Sequence, residues 1–175
     1  TADAAAIQAI SGYDYKGSDY DIEDTAAALI SAGDSVLNVN GVTNIQVDAA
    51  GTGSVVNAAD GAALSAFTAD VDFDVEDNAA GLIAEMSGSG TAGHLTEAMS
   101  ITVDDASTGS VVNANDGAML ASFTADVSFD VADTAANIAA QVASGVAQGS
   151  GQDSLDEAGH VVVESGAAVT AADAA

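Results

Sequence analysis

The chemistry open to this chain is that of carboxylates. Of its 175 residues 27 are Asp or Glu, against a single Lys and no Arg, which sets the formal net charge at -26. Several of these acids stand where they could surround a cation. Asp70, Asp72 and Asp74 alternate along one stretch, Asp104 and Asp105 are adjacent, and Asp48, Asp126 and Asp130 occupy related places. Alternate residues of a strand share a face, and hard oxygen ligands select calcium over zinc. Calcium is therefore the one cofactor this pattern suggests, and a merely solvated acidic face is the competing reading. The chain has no Cys, which removes thiolate metal sites and disulfides together.

Other chemistries find less support. His94 and His160 stand at non-equivalent positions and read as loop residues. Two carboxylates can flank a glycosidic bond, but among 27 acids a pair carries no information, and sugar-stacking aromatics are scarce: there is no Trp, and Tyr13, Tyr15 and Tyr20 lie near one end. Thr52-Gly53-Ser54 and Ser87-Gly88-Ser89-Gly90 are Gly-rich but lack the Lys of a phosphate loop. Nucleic acid is excluded as a partner because phosphate binding needs clustered Lys or Arg. No apolar run reaches the roughly 18 residues of a membrane span, so membrane insertion is not expected. The expectation is a protein that is not an enzyme and whose partners are cations and further copies of itself.

The elements that must position the acids come in repeats. With 49% hydrophobic residues, periodic Val, Ile, Leu and Phe argue against disorder. Asp3, Asp60, Asp116 and Asp173 recur in similar Ala-rich surroundings at intervals of 57, 56 and 57 residues, which divides residues 1–175 into one array with units of about 3–59, 60–115 and 116–172. Both termini fall at the same point of the repeat, which suggests units joined end to end.

Each unit opens on an alternating strand: Tyr20-Asp21-Ile22-Glu23-Asp24, Phe73-Asp74-Val75-Glu76-Asp77 and Phe129-Asp130-Val131-Ala132-Asp133. Asp24, Asp77 and Asp133 then stand as helix caps, a role that Thr25, Asn78 and Thr134 could share, and Ala-rich helices follow over 26–30, 79–86 and 135–142. Leu29, Ile30, Leu82, Ile83, Ile138 and Val142 are expected to face inward. Further strands are expected at 45–48, 101–104 and 161–164 and at 54–57 and 110–113. A second helix follows, with Ile7, Leu64 and Leu120 four residues after the repeating Asp and Ile10, Phe67 and Phe123 seven after it, one helical face. Asp3, Asp60 and Asp116 read as caps of this helix.

Strands alternating with short helices favour parallel pairing through crossovers. The expected fold is α/β: a parallel solenoid of short strands and short Ala-rich helices with about 56 residues per coil, the alternative being a single compact α/β domain of three units. Stacked units would align Asp48, Asp104 and Glu164, or Asp21, Asp74 and Asp130, in rows about 5 Å apart if adjacent strands carry them.

Asp133-Thr134-Ala135-Ala136-Asn137-Ile138, preceded by Phe129-Asp130-Val131, resembles a tandem repeat of very large secreted and surface proteins of bacteria. Ile101-Thr102-Val103-Asp104 and the segment from Ala58 to Phe67 look like the later parts of that repeat, whereas Asp24-Thr25-Ala26-Ala27-Ala28-Leu29 and Asp77-Asn78-Ala79-Ala80-Gly81-Leu82 depart from it. The resemblance implies an extracellular or cell-surface structural role, as in an adhesin, filament, matrix or surface layer, often beside calcium-binding modules, and no enzymatic residue. The Gly-Gly-x-Gly-x-Asp nonapeptide of calcium-binding β-rolls is absent, so its geometry does not carry over. Tyr13-Asp14-Tyr15-Lys16-Gly17-Ser18-Asp19-Tyr20 breaks the repeat, and Tyr13, Tyr15 and Tyr20 are candidates for an interface with a neighbouring subunit. Two functions follow as expectations: a structural subunit assembling head to tail, or a calcium-responsive adhesin module.

Overall fold

A computed structural model describes residues 20–37, 42–48, 53–87, 95, 97–122, 126–147, 155 and 157–164. The chain divides into two compact units, Thr1–Glu76 with His94–Ser100 and Asp77–Gly93 with Ile101–Ala175. It is an α/β protein with parallel strands, as the alternation of strand and helix predicts.

In the first unit, β1 (Tyr20–Asp24) leads through the helices α1 (Ala26–Ala32) and α2 (Asp34–Leu37) to β2 (Val42–Val47). The two strands pair in parallel from Tyr20↔Val42 to Asp24↔Val47, with an irregularity after Tyr20. Then β3 (Val55–Val56), α3 (Ala58–Ser65) and β4 (Asp74–Asp77) follow. β3 and β4 pair in parallel as Val55↔Asp74 and Val56↔Val75, and Asp72 bridges in parallel to Gln46 of β2. Leu29, Ile45, Val47, Leu64, Val71, Phe73, Val75 and Leu95 are buried here.

The second unit repeats the plan. α4 (Ala79–Met86), β5 (Ser100–Val103), β6 (Val111–Val112), α5 (Ala114–Leu120), β7 (Val127–Ser128), β8 (Asp130–Asp133), α6 (Ala135–Ala147) and β9 (Val161–Val163) follow in order. β5 pairs with β7 as Ile101↔Val127, β6 with β8 as Val112↔Val131, and β8 with β9 as Val131↔Val161, all in parallel. Leu82, Ile101, Val103, Leu120, Val127, Phe129, Val131 and Leu155 are buried.

The packing explains the glycine in each repeated helix. A Cβ on Gly61 would stand 2.8 Å from Val75 Cγ2 and 3.3 Å from Phe73 Cε2, and one on Gly117 would stand 2.7 Å from Val131 Cγ2 and 3.2 Å from Phe129 Cε2. Only a hydrogen at this position lets the helix lie so close to the Phe-x-Val strand.

Two expectations need correction. The N-caps are Thr25, Asn78, Asn57 and Asn113, each accepting from the backbone N–H three residues on. Asp24, Asp77 and Asp133 stand one residue earlier and accept the N–H of the residue that follows, at 2.8, 2.8 and 2.7 Å. Asp60 and Asp116 occupy the third helical position, donate their N–H to the side-chain oxygens of Asn57 and Asn113, and accept from the side-chain Nδ2 of the same residues, a reciprocal pair related to the capping box but closed through the side-chain amide. Phe67 lies beyond the end of α3 and is half-buried. Leu29 and Leu82 are buried while Ile30, Ile83, Ile138 and Val142 are half-buried, because these short helices cover the sheet with a narrow stripe. Ile7, Ile10, Phe123, Asp3, Asp173 and His94 lie outside the described residues.

Candidate functional site

Asp70, Asp72 and Asp74 alternate with buried Val71, Phe73 and Val75, though only Asp74 lies in a strand, β4, and Asp72 in an isolated bridge. Their carboxylates do different work. Asp70 is exposed, whereas Asp72 is fixed by its backbone, its N–H donating to Ile45 O at 2.8 Å and its carbonyl accepting from Val47 N at 3.1 Å. Asp74 accepts from Ser100 Oγ at 2.6 Å and Ser54 Oγ at 2.5 Å, one hydroxyl on each carboxylate oxygen. The Ser100 hydroxyl, and after it that of Ser54, holds the Asp74 carboxyl below the ordinary carboxylate range.

The same device recurs at the equivalent acids. Asp130 accepts from Ser110 Oγ at 3.2 Å and pairs with His160 Nδ1 at 3.0 Å, and first the His160 bond, then the Ser110 hydroxyl, lowers its pKa. Asp21 accepts from Thr43 Oγ1 at 2.8 Å. In the ladders Asp74 lies opposite Val55 and Asp130 opposite Val111, so in these pairs each carboxylate borders a valine rather than its equivalent acid. The expected close row does not form there, because a strand's neighbours are non-equivalent strands.

Asp48, Asp104 and Glu164 are exposed and stand just past strand ends, where their N–H groups donate to the carbonyls of Asp24, Asp77 and Asp133, each at 2.9 Å. Asp126 is exposed as well. Asp105 instead closes its own loop: its carboxylate accepts from the hydroxyl and the N–H of Ser107, and its backbone exchanges hydrogen bonds with Gly109 at 2.7 and 2.8 Å. Gly109 takes φ +63°, and Gly53, 56 residues earlier, takes φ +67°. The Ser107 hydroxyl lowers the Asp105 pKa.

Asp133 holds three donors. Thr134 N at 2.7 Å and Asn137 Nδ2 at 2.8 Å meet one oxygen, and Ala114 N of α5 meets the other at 3.1 Å. The Asn137 amide, followed by the backbone N–H groups of Ala114 and Thr134, depresses its pKa.

Among the described residues no group of three or more His, Asp or Glu gathers closely enough to hold a metal ion. In the second unit an open cleft of about 380 Å³ is lined by Asp105, Asp116 and Glu164 with Asn78, Asn113 and Val103. Its two asparagines serve helix caps and its Asp105 serves the loop. Tyr13 and Tyr15 lie outside the described residues, and of Tyr20 only the backbone in β1 is described. No helix among the described residues is long and apolar enough to cross a membrane.

Sequence reasoning missed Asp34, whose carboxylate accepts from Thr68 N at 2.8 Å and Thr68 Oγ1 at 2.7 Å and so ties the turn after α3 to the start of α2. The Thr68 hydroxyl lowers its pKa. No local pattern announces a bond between residues 34 apart in the chain. The caps Asn57 and Asn113 were missed as well, although each stands three residues before an Asp, because the Asp itself reads as the cap. Comparison of the chain with protein-family models, curated proteins and solved structures finds no match.

Proposed function

We propose that this chain is a structural, non-catalytic segment of an extracellular filament, matrix or surface array, built of acidic units of about 56 residues and assembling end to end. The observation that carries this reading is the repetition of function among its polar residues. Asp74 and Asp130 do the same work, as do Asn57 with Asp60 and Asn113 with Asp116. Catalysis calls for a single unlike constellation of groups, whereas here the polar side chains serve the same joints of successive units. The serial, solenoid-like arrangement belongs to this reading, as does the resemblance to surface-protein repeats.

A calcium-responsive adhesin module is the second reading. The cleft bearing Asp105, Asp116 and Glu164 favours it, since three carboxylates on one recess concentrate cations. Electron microscopy of the purified chain with calcium and with chelator tests the first reading. Regular filaments are expected, and dispersed monomers in both conditions would sink it.

A further inference from the structure

Glu97-Ala98-Met99-Ser100 at the start of β5 and Glu157-Ala158-Gly159-His160 before β9 are counterparts in the repeat. Both fold alike. Ala98 N donates to Leu95 O and Ala158 N to Leu155 O, each at 3.1 Å, while Met99 N meets Phe73 O at 2.9 Å and Gly159 N meets Phe129 O at 2.8 Å. They differ at the two positions that border the strand acid. Ser100 Oγ donates to Asp74 Oδ1 at 2.6 Å, whereas in its place His160 Nδ1 stands 3.0 Å from Asp130 Oδ1. Beside it Gly159 replaces Met99 and leaves room for that carboxylate, since a Cβ on Gly159 would come 3.0 Å from the same Asp130 oxygen. A titratable ring thus holds the acid where the earlier unit uses a hydroxyl.

Among the described residues His160 is the one side chain that can carry a positive charge. An ionised carboxylate only accepts hydrogen bonds, so the bond to Asp130 needs a proton on Nδ1. A neutral imidazole has one proton to share between its two nitrogens, whereas an imidazolium always carries the Nδ1 proton and adds the opposite charge. Imidazole changes charge between about pH 5 and 8. Asp130 stays ionised through that range, because the His160 bond, and after it the Ser110 hydroxyl, holds its carboxyl below the ordinary carboxylate range. Of the neighbouring elements, β6 follows the uncharged Ser110, and Asp133 of β8 is engaged by Thr134, Asn137 and Ala114. Glu157 and Glu164 are exposed on either side of His160 in the chain. Asp130 belongs to no group close enough to hold a metal ion among the described residues. The backbone of His160 is itself part of the joint, its carbonyl accepting from Val131 N at 2.8 Å.

From this we infer that His160 and Asp130 form a proton-operated latch at the entry to β9: an imidazolium fastens β9 to β8, and its deprotonation loosens that joint. The protonated ring is the form that the joint favours. The latch therefore contributes fully below the imidazole range and fades as pH rises through it. The equivalent joint at Asp74 is made by a hydroxyl, which does not titrate in this range. Both side chains of the latch keep contact with water, at 81% and 33% exposure, so its effect is local and modest.

The test is hydrogen exchange of the full chain, followed by NMR and corrected for intrinsic exchange rates. The Gly159 amide reads the latch, and the Met99 amide, in the equivalent joint, serves as reference for changes of charge that affect the whole chain. Protection of Gly159 relative to Met99 is expected to be about two- to fivefold higher at about pH 5 than at about pH 8. A ratio that stays level across this range overturns the latch. His160→Ser, which places the residue of the earlier unit here, is expected to abolish the difference, and a difference that survives it overturns the latch as well. Asp130→Asn keeps an acceptor and removes the charge. It too is expected to level the ratio, and an undiminished response in this variant would trace the effect to the general acidity of the chain and overturn the pair.

Discussion

At the scale of single residues, the two helix glycines and the hydroxyl-bound aspartates make the sharpest claims. Gly117→Ala forces a methyl to 2.7 Å from Val131 Cγ2 within a buried cluster. Overpacking of this kind costs about 1–3 kcal/mol, and alanine's better helix propensity returns up to about 1. Urea unfolding is expected to show a net loss of about 1–2 kcal/mol at Gly117 and a similar one at Gly61, and an unchanged midpoint would refute the close approach. Asp74 has its folded pKa lowered by the Ser100 and Ser54 hydroxyls. The stability it contributes is therefore complete above its ordinary value near 3.8 and fades as pH falls through the lowered one. Acidification also discharges a chain of formal charge -26, which relieves repulsion and acts in the opposite direction. Comparison with Asp74→Asn cancels that common part, so the parent's advantage in melting temperature at pH 6 is expected to shrink by pH 3. An advantage that stayed constant would mean that the hydroxyls do not favour the ionised form. Neither feature was legible in the sequence: a repeated Gly does not say what it touches, and the partners of Asp74 come from residues 20 and 26 positions away.

At the scale of elements, the strands and helices were largely legible, because apolar alternation and Ala-rich runs follow periods of 2 and 3.6. Tyr20–Asp24 and Ala79–Met86 form as expected, while α6 continues to Ala147. α2, with its four residues, leaves no periodic signal. Strand neighbours were not legible, since the same Val-Val pair could in principle join any parallel edge. One joint is fixed by the acid that stands before α6. Asp133 ties α6 to α5 through Asn137 Nδ2, Thr134 N and Ala114 N. Removing it strips two helix N-termini at once. Asp133→Ala is therefore expected to cost about 1–2 kcal/mol, while Asp104→Ala, at an exposed position past a strand end, stays within about 0.5 kcal/mol. Chemical denaturation of the two variants side by side checks the difference, and equal losses would mean that Asp133 is no more than a surface charge.

At the scale of the whole molecule, the surplus of acid over base is the dominant fact, and the sequence showed it without help. Whether that charge is screened or specifically bound is a question of how cations are held. Screening acts through ionic strength, with a Debye length of about 10 Å at 0.1 M, and is largely indifferent to the ion. A calcium site occupied at about a hundred times its dissociation constant would add about 2.7 kcal/mol to the folded state, or roughly 5–10 °C for a chain of this length. Most of the acids that sequence spacing suggested as ligands are spread along strand faces and ends or bound to hydroxyls and backbone. The structural reading therefore expects sodium and calcium chloride at matched ionic strength to raise the melting temperature by similar amounts. Calorimetry across the two salts decides it. A rise specific to calcium, abolished by Asp105→Asn with Asp116→Asn, would place the ion in the cleft of the second unit and make the calcium-responsive module the better account. Equal rises would leave the acids as a solvated coat, screened by salt rather than bound to an ion.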